Sequence, residues 1–124
     1  MIRGLPYGLM AGVILVCLAG LVEPLAAHAI LVKSVPAADS AVDGPDIDVK
    51  LSFNVRIDRE RSRLVLVLPN GKSVMLKILE QDKPDSLSAR ATNLTPGSYV
   101  LRWQVLASDG HITSGVIPFR VNNP

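Results

Sequence analysis

Sulfur is scarce in this chain: one cysteine, Cys17, and three methionines among 124 residues. Met1, Met10 and Cys17 fall in an apolar leader, so Met75 is the only sulfur beyond it. No disulfide and no thiolate metal site is available to the rest of the chain. Aromatic residues make up only 4% of the sequence, too few for a platform that stacks bases or sugars. Charge of one sign is not in excess either, with 13 Lys and Arg against 11 Asp and Glu. The arginines Arg56, Arg59, Arg61 and Arg63 are broken by Asp58 and Glu60 and have no aromatic neighbours. They read as a solvated loop, and nothing indicates nucleic acid. A helical apolar stripe is missing beyond the leader, as are repeats and low-complexity segments.

What the N-terminus does contain reads as an export signal, with a retained membrane anchor as the alternative. Arg3 is followed by the apolar run "GLMAGVILVCLAGLV" from Gly8 to Val22, then Pro24 and the small-residue stretch Ala26-Ala27-His28-Ala29. This is the order of parts in a secretory signal peptide. The run is short for a membrane-spanning helix, which needs ~20 apolar residues. Val16, before Cys17, is bulky where a lipoprotein site needs a small residue. The expected division is therefore a cleaved signal over 1–27 and one domain over 28–124. A strict A-x-A cut would fall after Ala29 and discard His28, whereas a cut after Ala27 makes His28 the first residue. Cleavage rules leave both open. About one hundred residues remain, enough for one domain with one core, and without disulfides that core alone must hold it.

The fold signal has period two. Ile47, Val49, Leu51 and Phe53 alternate with Asp48, Lys50 and Ser52, and Tyr99, Leu101, Trp103 and Val105 alternate with Val100, Arg102 and Gln104. Each run has one face to bury. Further strands are expected at 30–34, 64–68, 73–79, 87–93 and 115–121. Between them stand turn signals such as Asp43-Gly44-Pro45, Asn70-Gly71, Thr95-Pro96-Gly97 and Asp109-Gly110. The expectation is an all-β, immunoglobulin-like Greek-key β-sandwich of about seven strands. Trp103 and Phe119 belong in its core, and Tyr99 is placed for a tyrosine corner.

Histidine is also rare, and the two residues present, His28 and His111, are far apart in sequence. If every strand reverses direction, the chain start and the loop from Ser108 to Ser114 share one end of the sandwich. An N-terminal histidine has two metal donors, its α-amine and its imidazole Nδ1. With one nitrogen from His111 the set has three nitrogens. Nitrogen-rich tetragonal coordination favours Cu(II), which leads the divalent affinity order; zinc also fits these ligands. Asp109 could supply an oxygen to the metal, or accept a hydrogen bond that fixes His111. The bland reading of Asp109-Gly110 is a hairpin turn with an exposed histidine beside it.

At this point the residues resemble a known family. "HAILVKSVPAADSAV", "VKLSFN", "LTPGSYVLRWQVLASDGHITSG" and the final "FRV" are similar to CopC-type periplasmic copper-binding proteins over nearly all of the chain beyond the leader. The S-x-D-G-H core of the third stretch is the most specific. The resemblance implies cleavage before His28. It also implies one Cu(II) ion held by the His28 amine and imidazole, His111 and Asp109. The implied setting is copper resistance and homeostasis in the periplasm, alongside an inner-membrane transporter of the CopD type. Two departures limit it. Many relatives place an acidic residue after the "LSFN" position, where this chain has Val55. Some hold Cu(I) in a methionine-rich loop, which this chain lacks.

Three classes of function stay in view. A copper carrier or buffer, with no enzyme activity, is the expectation. A copper-dependent oxidative enzyme with a histidine brace is the second, against which stand the small domain and its few aromatics. A metal-free interaction module is the third.

Overall fold

The computed structural model describes residues 28–123, so the signal-peptide expectation for 1–27, with Cys17, lies outside the described residues. Eight strands form: β1 (Leu31–Val35), β2 (Ser40–Asp43), β3 (Ile47–Phe53), β4 (Ile57–Val67), β5 (Ser73–Leu76), β6 (Ser86–Ala91), β7 (Gly97–Ala107) and β8 (Ile112–Asn122). They make two sheets, of order β1-β3-β6 and β2-β8-β7-β4-β5. The alternation read from the sequence sets the faces. In β3 the residues Ile47, Val49, Leu51 and Phe53 are buried, and in β7 Tyr99, Leu101, Trp103 and Val105 are. The two inner faces meet in one core with Leu64, Leu66, Leu87, Ile117 and Phe119. Trp103 meets Phe53 of the other sheet edge-on, with ring centroids 5.3 Å apart. The Tyr99 hydroxyl donates to the Thr95 carbonyl at 2.7 Å, the expected tyrosine corner.

Two expectations are corrected. The strand count is eight rather than about seven, because β2 was not anticipated. It pairs with β8 in parallel, whereas β1 pairs with β3 in antiparallel. β4 and β8 are both antiparallel to β7, and the short turn at 54–56 reverses the chain between β3 and β4, so β1 and β2 run the same way, as two halves of one pass that changes sheets between Val35 and Ser40. The extra strand adds no reversal, so the ends of the sandwich fall where the seven-strand count puts them.

The arginine cluster is the second correction. Arg59, Arg61 and Arg63 lie inside β4, not in a loop. The β4–β7 register shifts between Asp58 and Arg63, which breaks the period-two pattern there. Side chains replace the lost ladder bonds. Asp58 Oδ1 accepts the N–H of Glu60 at 3.1 Å and of Arg61 at 3.3 Å. The buried Ser62 hydroxyl donates to the Asp58 carbonyl and accepts the Leu106 N–H.

Candidate metal centre

His28 and His111 come together. Their rings lie 5.0 Å apart between centroids, tilted by 55°. Each is carried by a segment held mainly through its backbone. His28 precedes β1. The next residue, Ala29, is buried in the core, and beyond it Ile30 pairs with Asn54, which follows β3. The Ile30 N–H donates to Asn54 Oδ1 at 2.7 Å, and the Asn54 N–H donates to the Ile30 carbonyl at 3.1 Å.

His111 closes the β7–β8 hairpin. Gly110 takes a φ of 89°, a left-handed conformation that favours glycine. Its N–H donates to the Ala107 carbonyl, and the Ala107 N–H donates to the His111 carbonyl, each at 2.9 Å. The loop is tied sideways as well, since the Ser108 N–H donates to the Arg56 carbonyl at 3.0 Å.

Asp109 fixes the imidazole of His111. Its Oδ1 accepts the His111 backbone N–H at 3.1 Å, and its Oδ2 lies 3.0 Å from His111 Nδ1. The Asp109 carboxyl is held below its ordinary range by the bond to the His111 ring first, then by the His111 backbone N–H. Partial burial opposes this, and the charges of His111 and His28 add to it. A carboxylate that accepts a hydrogen bond from Nδ1–H sets the tautomer, leaving the Nε2 lone pair for a ligand.

Both histidines are exposed, so an ion has access to them. Metal–imidazole bonds of about 2.0–2.1 Å allow one ion to bridge rings at this spacing. Among the described residues no group of three or more His, Cys, Asp and Glu side chains gathers as a ready-made cluster. The two imidazoles are the nitrogen side chains that the fold brings together here, with the Asp109 carboxylate bonded to one of them. Val55, where an acid was noted as missing, is partly buried and packs against the core. The residue that sequence reasoning missed is Asn54. Nothing in period-two patterning marks an asparagine just past a strand as a partner of the chain start.

A family model described as CopC domain matches residues 31–122, a span that contains Asp109 and His111 and begins after His28. Protein YobA of Escherichia coli (strain K12) is 33% identical over 98 residues, covering 77% of this chain and 79% of YobA. Copper transport protein CutJ of Bacillus subtilis (strain 168) is 30% identical over 98 residues, covering 77% of this chain but 18% of CutJ. Among solved structures, CopC from Methylosinus trichosporium OB3b superposes with a TM-score of 0.70 at 34% identity, over 77% of this chain and 95% of that one. PcoC, a methionine-rich copper resistance protein from Escherichia coli, gives 0.64 at 28%, over 77% of this chain and 100% of PcoC.

Proposed function

The chain belongs to the CopC domain family, and from that premise we propose that it is a periplasmic Cu(II)-binding protein of copper resistance and homeostasis. It acts as a carrier or buffer for one ion per mature chain. The observation that carries the reading is the convergence of the His28 and His111 rings, 5.0 Å apart, from opposite ends of the sequence. Cleavage before His28 turns the nitrogen of that residue from an amide into an amine. The amine and the two imidazoles then supply three nitrogens, and Asp109 orients the His111 ring.

This donor set is nitrogen-rich and suits Cu(II), whereas thioether and thiolate ligands select Cu(I). Met75 on β5 is the only sulfur among the described residues. Methionine-rich PcoC differs from this chain in that respect. A carrier is favoured over an oxidative enzyme by the aromatics. Phe53, Tyr99, Trp103 and Phe119 are all buried, so among the described residues no exposed Phe, Tyr or Trp ring is offered for a polysaccharide to stack on. A membrane copper transporter of the CopD type is the proposed partner. The similarity to one segment of Copper transport protein CutJ supports a place beside transport machinery.

Titration of the mature protein with Cu(II), followed by paramagnetic resonance, tests the reading. One equivalent should bind with a nitrogen-dominated signature. His111→Ala should weaken binding by several orders of magnitude without unfolding the sandwich, because His111 is exposed in a hairpin loop. Equal binding by both proteins would remove His111 from the site.

A further inference from the structure

Each proposed ligand segment is tied to the same short piece of chain, and that piece contributes no ligand. It is the β3–β4 connection, Asn54-Val55-Arg56. At its start, Asn54 holds Ile30, two residues from His28, through the paired bonds of 2.7 and 3.1 Å. At its end, the Arg56 carbonyl accepts the Ser108 N–H at 3.0 Å, three residues from His111. In the middle, Val55 packs against the core.

The connection is itself fastened from behind. The Phe53 N–H donates to the Asp85 carbonyl and the Ile57 N–H to the Pro84 carbonyl, both at 2.9 Å. The two N–H groups of the Gln81 amide nitrogen are shared among the carbonyls of Ile57, Pro84 and Ser86, at 3.3, 3.2 and 3.0 Å. Both flanks of the connection are thus bonded to the segment 81–86 as well as to the two ligand segments.

We infer that Asn54 is a positioning residue for the copper site: its side-chain carbonyl, acting from the β3–β4 connection, sets where the mature N-terminus stands relative to His111. The inference rests on the reading of His28 and His111 as copper ligands. His28, Ala29 and Ile30 lie outside any strand. Their place is fixed by the burial of Ala29 and by the Asn54 pair. Of these bonds, the one to Asn54 Oδ1 is the contact that a side-chain change removes alone. Without it the α-amine and the His28 imidazole still exist, but they sample positions off the His111 nitrogen. The metal then meets a looser donor set. Groups that orient ligands in this way typically contribute 10–100-fold to metal affinity.

The test uses mature protein beginning at His28 and three variants: Asn54→Ala, Asn54→Asp and His111→Ala. Three readouts are taken: amide exchange at Ile30 without metal, Cu(II) affinity by competition, and the paramagnetic spectrum. Asn54→Ala should deprotect the Ile30 amide, lower Cu(II) affinity 10–100-fold and alter the nitrogen signature. Its apo melting temperature should stay close to wild type, since Asn54 is exposed. Asn54→Asp keeps an acceptor oxygen and should restore both the amide protection and the wild-type spectrum. An Asn54→Ala protein with wild-type affinity and spectrum, beside a His111→Ala protein that has lost copper, would overturn the role of Asn54 and leave the site standing. Wild-type protein that takes up no copper would overturn the site, and the role of Asn54 with it.

Discussion

Asp109 makes two bonds to one residue, both to His111 two positions on. It caps the backbone N–H of His111 with one oxygen and holds the ring with the other. Asp109→Asn retains the shape and one acceptor but loses the charge. Cu(II) affinity should fall by ~10–100-fold with the nitrogen signature intact. A change in the spectrum itself would make Asp109 a direct ligand instead.

Acid acts on this carboxylate with a definite sign. Its proton affinity is lower in the folded chain than in the unfolded one, because the His111 bonds favour the ionised form. Its contribution to folding is therefore present above the ordinary carboxylate range. It is withdrawn as pH falls through that range toward the depressed value. Asp82, bonded to Lys50 at 3.0 Å, behaves the same way. NMR titration of the two carboxyls should show both protonating later on acidification than free aspartate. A midpoint at or above the ordinary value for Asp109 would mean that its bond to the ring does not persist in solution.

At the scale of elements, the hairpin that presents His111 is braced by a glycine whose role is steric. Gly115 on β8 pairs with Trp103 on β7. A β-carbon there would lie 2.5 Å from Trp103 Cζ2 and 2.7 Å from Cε2. Those are rigid ring atoms, and the indole already packs edge-on against Phe53. Gly115→Ala should cost about 1–3 kcal/mol, the range for overpacked cores. Urea unfolding read by the fluorescence of Trp103, the single tryptophan, would measure it directly. No loss of stability would mean that the ring has room to retreat.

Period two was enough to find the strands that have a core face of their own, such as β3 and β7. It failed for β2, four residues long, whose strand character comes from β8 alongside it and not from its own sequence. It failed again in β4, where Asp58 and Ser62 support an irregular register that looks like a loop from sequence. The meeting of the histidines was legible because it depends on the number of reversals, which β2 leaves unchanged. The hold of Asn54 on Ile30 was not legible, because a side-chain bond to backbone 24 residues away leaves no periodic trace.

At the scale of the whole molecule, the sandwich has no disulfide to stabilise it, so a bound metal that bridges two distant segments should register in global stability. A ligand that binds only the folded state adds RT ln(1 + [L]/Kd), or about 2.7 kcal/mol at a hundredfold excess over Kd. For a domain of this size each kcal/mol moves the melting temperature by roughly 4–8 °C. Mature protein should therefore melt roughly 10–20 °C higher with Cu(II) at that excess. The increment depends on the first residue, because the amine ligand exists only when His28 begins the chain. Placing one alanine before His28 should remove most of the increment while the apo melting temperature stays the same. It depends on pH as well. Metal ligands must shed their protons, and imidazole ordinarily takes one up near pH ~6.5. The copper-induced rise should shrink steadily from pH 8 to pH 5. Calorimetry of the two proteins with and without Cu(II) across that range decides the matter. A rise that survives the added alanine would show that the amine is not a ligand. A rise that is flat with pH would show that imidazole does not hold the metal.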